Sequence, residues 1–373
     1  MKEKKKINKN IINVAFLLVL LSLTVWLIFK DQDAGQIFRL LTDIPPLFLL
    51  ICFILVILYV CSESVIIKYL MSTVNIKIPL FNCIKYSFVG FFYSCITPSA
   101  SGGQPMQIFF MQRQNIDIPT ATIILMVVTI EYKFVLVAIG LGLAAFGQGL
   151  LATLDAEVVF FLYVGIALNV FCVAFMSILV FMPNTAKFGI TKGYALLKKL
   201  HIMKEKNNRA ERLERSMEKY KHASKYLKAN KLAVFNTTLI SFLQRFFLFF
   251  ITYIVYLAMG NSQIDAITIT LLQSVVSIAV DMLPLPGGMG ISERLYLLIF
   301  SPIFGGTTAA VASMMVSRGF SYYVLLIVSA IITVYTHMTV RAPEDPRPRF
   351  PFRHPDRTRA GAREDKIRDG SNQ

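Results

Sequence analysis

Residues 47–69 read LFLLICFILVILYVCSESVIIKY, a stretch in which only Glu63 and Lys68 carry charge. About 20 such residues in a helix, rising 1.5 Å each, cross the hydrocarbon core of a bilayer. Runs of the same kind occupy Ile11–Phe29, Thr120–Phe146, Glu157–Met182, Leu232–Met259 and Thr307–Met338. The chain therefore reads as an all-α polytopic integral membrane protein with six clear spans. Composition points the same way: 55 % of residues are hydrophobic and 16 % charged, and the apolar ones come in long runs instead of the short alternating blocks of a soluble core.

The location of charge gives the orientation. Net charge is +16, with +4 in residues 1–10, +10 in 187–231 and +3 in 341–373, which leaves −1 for the remainder. Cations gather on cytoplasmic segments, so both termini and the 187–231 loop are expected on that side. A basic chain often binds nucleic acid. Here the charge borders apolar spans, where anionic lipid headgroups are the nearer partner, and nucleic acid is not expected. The first run carries Trp26 near its end and has no small-residue cleavage site before Asp31, so it reads as a retained helix and not a secretory signal. Cys52, Cys61, Cys83, Cys95 and Cys172 lie in apolar stretches without a Cys-x-x-Cys spacing. His201, His222, His337 and His354 form no His-Glu-x-x-His pattern. Neither a disulfide nor a metal is expected, and with no Gly-Lys-Ser/Thr phosphate loop, no nucleotide or other cofactor.

Two segments, 79–117 and 264–305, are apolar but broken in the middle, at Thr97-Pro98-Ser99-Ala100-Ser101-Gly102-Gly103-Gln104-Pro105 and at Leu283-Pro284-Leu285-Pro286-Gly287-Gly288-Met289-Gly290. Each reads as helix, break, helix, either a re-entrant hairpin or a pair of short spans, for up to eight or more crossings. Irregular backbone at membrane depth is tolerated only where protein or a watery cavity satisfies it. Lys77, Lys85 and Arg113 flank the first segment, whereas the second lies between Asp265 and Gly305-Gly306. The first is expected to enter from inside and the second from outside, the inverted-repeat plan of secondary transporters.

A charge at the centre of a transmembrane helix costs roughly 2.5–3.5 kcal/mol on insertion scales. Glu63, Glu131, Lys133, Arg245, Asp281, Glu293, Arg294 and Arg318 all lie in apolar surroundings. An ion pair or snorkelling explains any one of them; the group points to a polar cavity. Arg113, Arg245 and Arg318 are expected to hold phosphate, whose oxygens the guanidinium fork matches. Glu131, Asp281 and Glu293 are expected to meet a cationic headgroup or carry protons. Gly102-Gly103 and Gly287-Gly288 let backbone approach a phosphate oxygen closely. Thr97, Pro98, Gln104, Gln107 and Pro286 complete the expected substrate path. Residues 1–340 read as the membrane domain. Within 187–231, Tyr194, Leu197 and Leu200, then Leu213, Met217, Tyr220 and Leu227, fall at helical spacing, which suggests a basic amphipathic helix on the inner leaflet or a solvated coiled coil. The Pro- and Arg-rich residues 341–373 read as a disordered cytoplasmic tail.

The stretch Thr97–Pro105, together with Leu283-Pro-Leu-Pro-Gly-Gly-Met-Gly-Ile-Ser-Glu293, resembles the lysylphosphatidylglycerol synthase transmembrane-region family, the flippase-like part of bacterial multiple peptide resistance factors. The resemblance covers roughly residues 10–340. It implies a multi-pass protein of the bacterial cytoplasmic membrane that translocates a phospholipid or lipid-linked headgroup, in the context of lipid modification and cationic peptide resistance. It also implies two alternatives: a phosphatidylglycerol lysyltransferase-type enzyme, alone or with a separate synthase subunit, and a lipid-binding scaffold. A homo-oligomer is compatible with each. The chain ends soon after its last span, leaving no room for the soluble domain that uses lysyl-tRNA, so aminoacyl transfer by this chain alone is not expected. Many members carry an acidic residue and an arginine in the first motif where this chain has Gln104 and Gln107, which leaves the lipid open.

Overall fold

Hydrocarbon offers backbone amides no hydrogen bonds, and the chain answers with helices; no strand occurs among the described residues. The computed structural model describes residues 34–97, 100–182, 209–285 and 288–340, with the backbone alone for 209–216. The expected first span Ile11–Phe29, the break residues Pro98, Ser99, Pro286 and Gly287, the loop 183–208 and the tail 341–373 lie outside the described residues.

In chain order the helices are α1 Ala34–Thr42, α2 Pro46–Thr73, α3 Leu80–Cys95, α4 Gly103–Arg113, α5 Ile118–Phe146, α6 Gln148–Leu151 and α7 Ala156–Phe181. They continue with α8 Arg209–Ala229, α9 Lys231–Ala258, α10 Ala266–Val280, α11 Ile291–Phe300, α12 Thr307–Arg318 and α13 Leu325–Thr339. A π-helical turn, Gly319–Val324, joins α12 to α13 as one run. Among the described residues five stretches are long and apolar enough to cross a membrane: α2, α5, α7, α9 and the α12–α13 run. These are the expected spans apart from the first.

Local chemistry sets the ends. Pro46 and Pro119 occupy the first turns of α2 and α5, where their missing N–H costs nothing. Asp117 and Asp265 cap α5 and α10 by accepting the N–H groups of Thr120 and Thr268. Helices α2 and α4 stop alike, at Asn75 and Asn115 with φ of 60° and 63°. The N–H groups of Ile76 and Ile116 then reach back to the carbonyls of Met71 and Met111. Asparagine tolerates this left-handed conformation better than most residues. The two turns share a pattern, Asn75-Ile-Lys-Ile-Pro79 and Asn115-Ile-Asp-Ile-Pro119. A cavity of about 50 Å³ lies between them, lined in part by Lys77, Asn82 and Gln114.

At the centre α2 packs along α9, with Val56 and Val60 in one apolar cluster with Ile251, Ile254 and Val255. Around this pair sit the two broken segments, and each is a re-entrant hairpin. Their half-helices hold 16, 11, 15 and 10 residues, too few to span. In hairpin 1 (α3–α4) Gly90 faces Gln107, and the Tyr86 hydroxyl, one turn nearer the foot, reaches Gln114, so the arms run antiparallel. Its feet lie beside the start of α5 and the end of α13, where Lys85 Nζ meets Thr339 Oγ1 at 3.4 Å. In hairpin 2 (α10–α11) the feet lie beside the end of α9. The Tyr256 hydroxyl accepts the N–H groups of Gln263 and Ile264, and the Tyr256 ring packs edge-on against Phe304. Since α5 runs from the feet of hairpin 1 toward the opposite face, the hairpins enter from opposite sides.

The basic helix α8 packs its apolar face on the bundle. Met217, Ala223 and Leu227 are buried, the Tyr220 hydroxyl donates to the Leu179 carbonyl, and Ser224 Oγ donates to the Val180 carbonyl at 2.6 Å. Its apolar face closes on α5 and α7, with Ala223 and Leu227 in one apolar cluster with Ile124 and Val180. Tyr194, Leu197 and Leu200 lie outside the described residues.

Candidate functional site

The tip of hairpin 1 is held by neutral groups. Thr97 Oγ1 accepts the Gly102 N–H at 2.9 Å and donates to the Tyr93 carbonyl at 2.6 Å, so one hydroxyl ties the break to α3. Ala100 adopts φ of 53°, a strained conformation for a residue with a Cβ. A side-chain carbon on Gly103 would lie 2.7 Å from the Gly90 carbonyl. Here glycine permits the two arms to touch. Gln104 Nε2 donates to Thr129 Oγ1 on α5, and Gln107, nearly fully buried, donates to Glu63 Oε1 on α2 at 2.9 Å.

The tip of hairpin 2 is held by charge. Asp281, just past α10, receives Lys133 of α5 at 2.5 Å, and the same ammonium lies 3.3 Å from Asn169 Oδ1 on α7. Gly288 and Gly290 have φ of 67° and 87°, which glycine alone adopts readily. Glu293 opens α11 as a cap: its Oε2 accepts the Gly290 N–H at 2.6 Å. Glu293 Oε1 lies 3.0 Å from Arg318 Nε of α12, and Arg318 Nη1 donates to Ser292 Oγ. Both ion pairs are shielded, with side-chain exposures of 6 and 18 % for Lys133 and Asp281, and 17 and 7 % for Arg318 and Glu293.

The tips meet near the midpoints of α5 and the α12–α13 run. Tyr322, in the π-helical turn, donates its hydroxyl to the Cys95 carbonyl at the end of α3 at 2.9 Å, and the Arg318 guanidinium lies 5.6 Å from the Tyr322 ring centre. A π turn shifts the register of a helix by one residue and is frequent at functional sites. Between the two tips stands Arg245 of α9, its guanidinium 4.5 Å from the Tyr132 ring centre and 5.5 Å from that of Tyr59. It lies within electrostatic reach of Glu63 and Asp281, yet its Nε is buried without a hydrogen-bond partner among the described residues. About two turns toward the start of α9, Thr237 Oγ1 contacts Oε1 of Glu131, which is 2 % exposed.

Of the residues expected to form a substrate path, the structure brings together Thr97, Gly102, Gly103, Gln104 and Gln107 at one tip, Asp281, Gly288, Glu293 and Arg318 at the other, and Glu131 and Arg245 beside them. Arg113 stands apart: it donates to the Val340 carbonyl at 3.2 Å and stacks on Phe109, at the feet of hairpin 1. Arg294 turns outward to a bidentate pair with Glu157 of α7, both bonds 2.7 Å. Pro98, Pro286 and Gly287 lie outside the described residues. Tyr59, Tyr132, Asn169, Thr237 and Tyr322 complete the site without having been singled out. Tyr132, between Glu131 and Lys133, carried the one legible signal, a polar triplet at the middle of an apolar run.

No curated protein matches the chain. Both tips fall within residues 10–329, which match the family described as Lysylphosphatidylglycerol synthase TM region, and the chain belongs to that family.

Proposed function

We propose that the protein translocates a phospholipid or lipid-linked headgroup across the bacterial cytoplasmic membrane, with the meeting point of the two hairpins as the headgroup path. Arg245 carries this reading. A guanidinium with a buried, unpartnered Nε between two aromatic faces is poised for an anionic ligand, and a phosphate oxygen supplies the hydrogen bond it lacks. Membership of a family of lysylphosphatidylglycerol synthase membrane regions supports a lipid as that ligand. The positive-inside distribution supports a cytoplasmic location for the feet of hairpin 1, both termini and α8. Moving one positive charge outward against an inside-negative potential costs about 2.3 kcal/mol per 100 mV, so a cationic lipid needs a gradient or a coupled ion.

The test is scramblase-type quenching of fluorescent phosphatidylglycerol in proteoliposomes. Wild type moves the label between leaflets, Arg245→Lys retains part of the rate, and Arg245→Ala loses most of it. Equal rates in wild type and Arg245→Ala remove the assignment. The family's description as a synthase region favours one second reading, a transferase or its membrane subunit. A new aminoacylated lipid in extracts of cells expressing this chain alone selects that reading.

A further inference from the structure

Glu131 lies on the same helices as the Arg245 site but takes no part in its contacts. It is 2 % exposed; Oε1 touches only Thr237 Oγ1, and Oε2 is buried with no partner among the described residues. The two other acids of the hairpin junction with assigned ion pairs differ in this respect, since Asp281 holds Lys133 and Glu293 holds Arg318.

The acceptors around Thr237 make the point sharper. Its hydroxyl oxygen lies 2.9 Å from the Ala233 carbonyl and 3.1 Å from the Val234 carbonyl, besides Glu131 Oε1. A hydroxyl has one hydrogen, and here three acceptors surround it if Glu131 is ionised. A protonated Glu131 resolves the conflict: its O–H donates to Thr237 Oγ1, and the Thr237 hydrogen goes to a backbone carbonyl of α9. Among the described side chains no cation offers an alternative. On α5 itself, Lys133 is bound to Asp281. From α9, Arg245 stacks on Tyr132, and from α2, Glu63 is a second acid, engaged with Gln107. Hairpin 1 brings Gln104, which is neutral, and Arg113, which is bound to the Val340 carbonyl. Hairpin 2 brings Asp281, and α7 brings the amide of Asn169. Helix α8 turns Met217, Ala223 and Leu227 inward while Lys221, His222, Lys225 and Lys228 stay exposed and Lys219 half-buried. A buried carboxylate without a cation is disfavoured strongly enough that such groups take up a proton instead.

We propose that Glu131 is a proton-binding site, carried as a neutral carboxylic acid that exchanges its proton with water during lipid movement. The step breaks the Glu131 O–H bond, passes the proton to water on one side of the membrane, and re-forms the bond with a proton taken from water on the other. The coupling half of this inference rests on the translocation reading; the protonation half does not. Infrared difference spectra of reconstituted protein at neutral pH should show a protonated-carboxyl C=O band that shifts in deuterated water, is absent from Glu131→Gln and persists in Glu131→Asp. An inward or outward pH gradient should change the rate of fluorescent phosphatidylglycerol movement several-fold in wild type and Glu131→Asp, and not at all in Glu131→Gln. Identical carboxyl bands in wild type and Glu131→Gln overturn the proposal, as does a gradient response that survives in Glu131→Gln. A wild type that shows the exchangeable Glu131 band but moves no lipid overturns the translocation reading instead, and supports the proton site.

Discussion

The two hairpins solve one problem in two ways. Both interrupt a helix at membrane depth, where each free backbone group and each charge is costly. Hairpin 1 closes its break with hydroxyls and amides, through Thr97, Gln104 and Gln107. Hairpin 2 closes its break with two ion pairs, to Lys133 and Arg318 on helices distant in sequence. A tip held by neutral bonds brings no net charge and can part from its neighbours at little electrostatic cost. One held by shielded ion pairs is fixed more firmly, because separating a pair leaves both charges uncompensated. Hairpin 2 is therefore the anchored half of the junction and hairpin 1 the half that yields.

That contrast is open to breakage. Lys133→Ala strands Asp281 and should destabilise the protein by about 3–5 kcal/mol in thermal unfolding in micelles, with Lys133→Met/Asp281→Leu recovering most of the loss. Next, Gln107→Ala removes the donor to Glu63 and should cost about 1–3 kcal/mol, the penalty for leaving a buried acceptor unsatisfied; a cost above that of Lys133→Ala would invert the comparison. Close packing sets a third scale. A Cβ at Gly165 on α7 would lie 2.2 Å from the Ile278 carbonyl of hairpin 2, and one at Gly103 would lie 2.7 Å from the Gly90 carbonyl within hairpin 1. Gly165→Ala and Gly103→Ala should each cost about 1–3 kcal/mol, the former more, read by the same unfolding measurement.

The smallest effect concerns the foot of hairpin 2. The Thr268 N–H and hydroxyl hold the Asp265 carboxyl below its ordinary value of 3.8. A depressed value stabilises the folded state above the unfolded-state value, and that stabilisation is lost as pH falls through the folded one. Asp265→Ala should thus melt slightly earlier than wild type at neutral pH, and the gap should close on acidification below about 3.8.

Much of the architecture is legible in the chain. The spans follow from the length of apolar runs, because lipid leaves a helix no choice but to satisfy itself. The breaks at Thr97–Pro105 and Leu283–Gly290 announce two interrupted helices, since proline and glycine at that density end a helix in any environment. Segment-flanking charge even orders the hairpins as opposed. The twin Asn-Ile-x-Ile-Pro turns stand in the sequence too, but a five-residue match far shorter than a repeat unit carries little weight until both copies are seen to end a helix alike. For α8, amphipathicity announced a buried face without naming what buries it.

What sequence alone determined, then, is the solvent of each segment: which residues face lipid, which border water, and where the helices break. Tertiary structure decided the partners. Whether 79–117 and 264–305 turn back or cross depended on how their arms pair, and local propensity is the same for both outcomes. That Lys133 answers Asp281, that Arg318 answers Glu293, and that Arg113 leaves the group for the Val340 carbonyl rest on contacts between residues 25 to 227 positions apart. A charge in a membrane must find a partner, and hydropathy records that need at each position; only the packing of α2, α5, α9 and the two hairpins determines which partner lies within reach, and that Arg245 Nε and Glu131 Oε2 have none among the described residues.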